Sequence, residues 1–174
     1  MIRLKNLYQH NLSQHATDTV SFEKAEVTAL FGEILKSGLS LRVKVTGRSM
    51  RPFLRGRETV TIKKVPCSEL RIGDVIFFDS SIGSPVLHRI VRKRMSGGGK
   101  LTFQTRGDGL LAFDEETHED NVLGKVLRIE RPAQSGKTTH IDMNSLFYRC
   151  VNFSVAFLGF FKTQTYFFLL AKLQ

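Results

Sequence analysis

Ser49, His88, Asp108 and Asp114 are the residues of this chain whose types could together carry out covalent chemistry. A serine hydroxyl is a weak nucleophile at neutral pH and needs a base within hydrogen-bond reach. Histidine suits that task, with an unperturbed pKa of about 6.5. A carboxylate on the far ring nitrogen fixes the tautomer and stabilises the imidazolium. Ser49 stands in "VTGRSMRPFL", directly after an alternating stretch. His88 interrupts the apolar "VLHRIV", Asp108 lies in "TRGDG", and Asp114 follows six residues later. Taken singly, each has a plainer reading: a turn serine, a satisfied core histidine, a Gly-Asp-Gly turn. The weight comes from their occurring together and in this order.

The elements that must position these residues are mostly strands. "SLRVKVTG" and "ETVTIKKV" alternate apolar and polar residues, the period of half-buried strands. "GDVIFFD" is a short apolar run of the kind found in buried strands. "PVLHRIVRKR" and "KLTFQTRGD" are separated by "SGGGK" and read as a hairpin, Val86–Arg94 against Lys100–Arg106. Antiparallel pairing brings His88, near the start of one strand, close to Asp108, just past the end of the other. It is silent on Ser49. "NVLGKVLRIER" closes a series of six short strands, which argues for a compact, mainly β domain rather than βαβ units.

Helical patterns flank this series. Phe22 to Ser37 reads as an amphipathic helix, with Ser21 as a partial cap, Gly38 as its stop, and a stripe of Ala25, Ala29, Leu30, Ile34 and Leu35. "PAQSGKTTH" reads as a polar linker to a Phe- and Leu-rich end. In that end Arg149 and Lys162 bracket only 12 residues, fewer than the roughly 20 of a spanning helix. A buried or interfacial helical hairpin is the expectation. The organisation is thus an N-terminal helical extension over 1–38, a β domain over 39–131, and a linker with a C-terminal apolar helical segment over 132–174.

The chain has 174 residues and a formal net charge of +10, which suits an anionic partner such as nucleic acid, an acidic peptide or an acidic membrane surface. Cys67 and Cys150 lie far apart and in no metal-ligand spacing. The first twenty residues lack the apolar core of a signal peptide. These features fit a membrane-associated or cytoplasmic protein.

"GRSMRP", "LRIGDVIFF", "VLHRIV", "FQTRGDG" with Asp114, and "LGKVLRI" together resemble the signal peptidase I superfamily, which also contains the self-cleaving repressor-type peptidases. The likeness runs over Leu39 to Ile129, about half the chain. The His-Arg pair of the third box is similar to the endoplasmic-reticulum and archaeal branch, which uses Ser–His–Asp. The resemblance implies a signal-peptidase-like β-barrel and a serine endopeptidase that needs no metal or cofactor. It implies Ser49 as nucleophile, His88 as general base and Asp108 as the orienting carboxylate. Asp114 is then a second acidic position, and Met50 and Pro52 belong to the substrate-binding box. The substrate would be a signal or leader peptide held as an added strand, with small residues beside the cut. Members of the family usually carry an N-terminal membrane anchor; before Ser49 this sequence has an amphipathic helix instead. The family's side-chain oxyanion donor has no match in Thr46-Gly47-Arg48, which leaves the backbone N–H of Ser49 for that role. The Phe-rich end, with Lys162 and Lys172, is expected to meet an anionic membrane surface.

Other readings fare less well. A repressor-type peptidase needs a DNA-binding module of two or three helices and a scissile Ala-Gly or Cys-Gly before Ser49; the sequence offers one helix and neither dipeptide. A basic β-barrel binding nucleic acid fits the charge and "RKR" at 92–94, but the strands lack interleaved aromatics for base stacking. "SGKTT" resembles the end of a phosphate-binding loop, yet Arg131 occupies the place of its first glycine.

Overall fold

The computed structural model describes residues 24–80, 85–133 and 136–171. Strand exceeds helix, 37% to 29%, so the chain is mainly β as its alternating segments require. Among the described residues eight strands form one antiparallel sheet: β1 (Ser40–Lys44), β2 (Thr59–Lys63), β3 (Val75–Asp79), β4 (Pro85–Met95), β5 (Leu101–Arg106), β6 (Thr117–His118), β7 (Val122–Pro132) and β8 (Thr138–Asp142). Their order is β1-β2-β7-β3-β4-β5-β6, and the sheet curls into a half-barrel. The long strand β7 pairs with β2 along one edge, while β3 and β8 share the other.

Two apolar layers cover the sheet. One holds Leu41, Val43, Val60, Ile62, Phe77 and Ile129, with helix α1 (Lys24–Lys36) packed against it. The other holds Leu70, Ile76, Phe78, Ile90, Phe103 and Val122. Strand β3 feeds both layers, Val75 and Phe77 to one and Ile76 and Phe78 to the other. That is why its sequence is a continuous apolar run rather than an alternation. The expected hairpin of β4 and β5 is present, with Arg89 opposite Arg106 and Met95 opposite Leu101.

Three features depart from the sequence reading. The inner face of α1 is Val27, Thr28, Phe31, Ile34 and Leu35, while Ala29 and Leu30 are exposed. The Phe31 ring sets this rotation by packing 5.9 Å from Phe77, since a large aromatic gains more from burial than an alanine. The expected cap Ser21, with Phe22, lies outside the described residues. Next, the segment read as a linker carries β8, joined to β7 by a turn in which the Ala133 N–H donates to the Lys137 carbonyl. Its polar Thr138, Thr139 and His140 are exposed, so the strand shows no apolar alternation. Last, the C-terminal end is one helix, α2 (Leu146–Ala171), and not a hairpin. Among the described residues no helix is long and apolar enough to cross a membrane.

Candidate functional site

Ser49 lies in the tight turn that follows β1. The Arg51 N–H donates to the Arg48 carbonyl at 3.1 Å and the Leu54 N–H to the Met50 carbonyl at 2.8 Å. Met50 and Leu54 are buried in the core and act as anchors, and Ser49, directly before Met50, is half-buried. The far end of the turn is fixed by Glu58, whose carboxylate accepts from the backbone N–H groups of Arg55, Gly56 and Arg57 at 2.9 to 3.0 Å. Burial alone would push the Glu58 carboxyl up. These N–H groups and the nearby Arg131 guanidinium outweigh it and hold the group below its ordinary value.

His88 projects from β4 and is buried, with only 6% of its surface exposed. Its Nδ1 lies 2.6 Å from Asp114 Oδ2. Asp114 is held in turn by β5: Thr105 Oγ1 donates to the same oxygen at 2.6 Å, and the Asp114 N–H donates to the Thr105 carbonyl at 2.9 Å. An ionised carboxylate only accepts, so Nδ1 carries the proton and Nε2 is left free to take one. Nε2 points towards Gly107. A β-carbon built there would sit 3.0 Å from His88 Nε2 and 2.7 Å from the Ser49 carbonyl oxygen. Two residues on, the Gly109 N–H donates to that same Ser49 carbonyl at 2.8 Å. Glycine at 107 therefore lets the β5 exit lie directly on the Ser49 turn, with the Ser49 carbonyl and the His88 ring both set against it. Among the described residues the Ser49 hydroxyl makes no hydrogen bond to His88, whose Nδ1 is bound to Asp114.

Asp108 is not the partner of His88. Its carboxylate forms a two-point ion pair with Arg89, Nε to Oδ1 at 2.8 Å and Nη2 to Oδ2 at 2.7 Å. Successive residues of a strand face opposite ways. His88 and Arg89 therefore send Asp114 and Asp108 to opposite faces of β4. Sequence spacing could not decide between two carboxylates six residues apart in one loop. Arg89, wholly buried, also donates through Nη1 to the Gly73 carbonyl at 2.7 Å and to Asn152 Oδ1 on α2 at 2.8 Å. Its guanidinium stacks 4.6 Å from the centre of the Phe53 ring, which belongs to the Ser49 turn. Asn152, Thr105 and Glu58 were not singled out in the sequence, and Arg89 was noted there only as half of the His-Arg pair. Arg89 had one signal: a cation in an otherwise apolar strand requires a buried acceptor.

Two depressions flank this arrangement, and Val86 lines both. The smaller, about 170 Å³, runs between Val43–Gly47 and Pro85–Leu87, with Ser49 and Met50 at its base. The larger, about 410 Å³, is lined by His88, Asp114, Phe78, Asp79, Glu115 and Glu116. Among the described residues β1 pairs only with β2, so its other edge opens on the smaller depression. Pro52 does not join the site. It is exposed and lines a separate hollow with Phe147, Tyr148 and Val151 of α2. Set against protein-family models and curated proteins, the chain matches none.

Proposed function

We propose that this protein is a serine endopeptidase of the signal-peptidase-like kind, acting on extended peptide segments such as signal or leader peptides. The observation that carries the proposal is a histidine whose Nδ1 is already bound to a carboxylate, with its Nε2 and the Ser49 turn both set against Gly107. Ser49 Oγ attacks the scissile carbonyl while His88 Nε2 removes its proton. Asp114 holds the imidazole and stabilises the cation that forms. His88 then returns the proton to the leaving amine, the peptide C–N bond breaks, and an ester to Ser49 remains. Water, deprotonated by His88, hydrolyses that ester and restores the serine. The Ser49 backbone N–H supplies the donor for the oxyanion. Asp108 serves as an anchor of the loop through Arg89 rather than as a partner of His88.

The open edge of β1 supports binding of the substrate as an added strand, with main-chain bonds giving affinity. The small depression beside Ser49 supports short side chains next to the cut. The test is labelling by a fluorophosphonate or peptide aldehyde, read by intact mass, alongside cleavage of a leader-peptide library. Wild type is expected to form an adduct and cleave, whereas Ser49→Ala and His88→Ala do neither. A folded wild type that neither labels nor cleaves any library member would overturn the reading in favour of a peptide-binding module.

A further inference from the structure

Helix α2 is built inside out for a surface helix. The side that faces the sheet carries Asn152, Ala156, Gly159 and Thr163, all buried and spaced four, three and four. The opposite side carries Phe153, Phe157 and Phe161, each 53% exposed, with Leu158 and Phe168 more exposed still. The three phenylalanines form a continuous ladder, with ring centres 6.3 and 4.7 Å apart.

This orientation is fixed rather than incidental. Asn152 accepts from Arg89. Arg106 crosses the helix at Gly159, where a β-carbon would fall 1.8 Å from its guanidinium, and it reaches the Leu110 carbonyl and Thr163. Turning the helix to bury its phenylalanines would strand two buried cations without these acceptors, and buried polar groups left unpaired are costly.

We infer that the Phe153–Phe157–Phe161 face of α2 lies in the interfacial plane of an anionic phospholipid membrane. Charge selects this occupant over a second copy of the chain. From Met143 to Gln174 there is no acidic residue, and the chain as a whole is +10. At about 100° per residue, Arg149 falls about 40° before Phe153 and Lys162 about 40° beyond Leu158, the two margins of the apolar stripe, and both are exposed. A cationic rim around an apolar stripe is the pattern of helices that lie on anionic bilayers. Two copies pressed together on this face would instead appose like charges. The loop whose Phe113 packs 5.6 Å from Phe160 of α2 also exposes Leu110 and Leu111. That loop also carries Asp108 and Asp114, so a membrane here would lie beside the candidate site. The inference stands on α2 alone and does not depend on the peptidase reading.

The chain has no tryptophan, so Phe157→Trp in the full chain provides a single fluorescent reporter. The expected result is a blue shift, with quenching by brominated lipid, on vesicles that contain phosphatidylglycerol and little change on pure phosphatidylcholine. A second variant, Phe153→Ser/Phe157→Ser/Phe161→Ser, changes exposed residues and is expected to keep the far-ultraviolet circular dichroism and melting of wild type. Its co-flotation with the anionic vesicles should fall at least about tenfold. Emission already blue-shifted without lipid would mean that the chain itself or a second copy covers this face, and would overturn the inference. So would equal binding to neutral and anionic vesicles, or flotation unchanged in the triple variant.

Discussion

Asp108 and Asp114 lie six residues apart in one loop, and the structure gives them different work, so exchanging each for asparagine separates anchoring from chemistry. The Asp108 side chain is 2% exposed and Arg89 is 1% exposed, and the two are joined by a pair of short bonds. In Asp108→Asn the guanidinium keeps its charge but loses its counter-ion inside the protein. Breaking one side of such a pair costs about 3–5 kcal/mol, a large part of the roughly 5–15 kcal/mol that holds a domain folded. For a chain of this length each kcal/mol moves the melting point by about 2–4 °C, so a fall on the order of 10 °C is expected. Asp114 is more open, with 23% of its side chain exposed, and asparagine can still accept from a ring N–H. Asp114→Asn should therefore change stability by about 1 kcal/mol or less. What it loses is the charge that fixes the tautomer and supports the imidazolium, worth about 10⁴ in kcat where a triad carboxylate was made an amide. Melting followed by circular dichroism, with peptide cleavage on the same samples, reads both effects. Should Asp108→Asn prove too unstable to purify, Arg89→Met/Asp108→Leu removes both charges and is expected to recover most of the stability. An Asp108→Asn protein that melts like wild type but is inactive, beside an Asp114→Asn protein that keeps its activity, would reverse the two roles and refute the reasoning.

Two further outcomes follow from the turn that carries Ser49. Gly107→Ala places a methyl group 2.7 Å from the Ser49 carbonyl oxygen and 3.0 Å from His88 Nε2; the expected result is a kcat lowered by about 10²-fold or less, from misplacement of the nucleophile against its base, with peptide affinity by equilibrium binding nearly unchanged. Glu58 is held below its ordinary value when folded, so the stability it contributes is present above the ordinary carboxylate pKa of the unfolded chain and is lost as pH falls through the lower folded value. In Glu58→Gln, urea titrations across that acid range should show a flatter loss of stability than wild type, and a curve as steep as wild type would assign the acid sensitivity to other carboxylates.

Most of the sheet could be read from alternation, because six of its strands place one face on a core or bury both. What escaped did so for identifiable reasons. Thr117–His118 is only two residues long, too short to show a period. Strand β8 exposes Thr138, Thr139 and His140 and buries only Ile141, so its composition is that of a loop. Helix α2 was read as a hairpin because Arg149 and Lys162 bracket only 12 residues; its inner face shows in the sequence only as Asn152, Gly159 and Thr163 among phenylalanines. They are the residues that face inward, where two arginines of the sheet need acceptors and space. In the site, Ser49 and His88 were legible as residue types at strand boundaries. The partner of His88 was not, since which of two nearby carboxylates reaches a ring depends on a strand face and not on spacing.

The alternation of β4 explains why a buried arginine stands beside the histidine at all. For stability alone apolar residues at both 89 and 108 would serve about as well, since the desolvation of a buried pair offsets most of its attraction. Its distinctive contribution is direction. Arg89 accepts no substitute geometry: its planar fork meets Asp108 at two points while its remaining nitrogen holds Gly73 and Asn152. That fixes the start of the loop against β4, and Gly109 in that loop grips the Ser49 carbonyl. The other end of the loop is fixed by Thr105 to Asp114, which meets His88 on the opposite face. One strand thus registers both ends of one loop, through neighbouring residues that point in opposite directions. The nucleophile's turn and the base's carboxylate are set against the same rigid element. Lysine at 89 would keep the charge and lose the second point of contact, which leaves the loop, and with it Ser49, free to shift relative to His88.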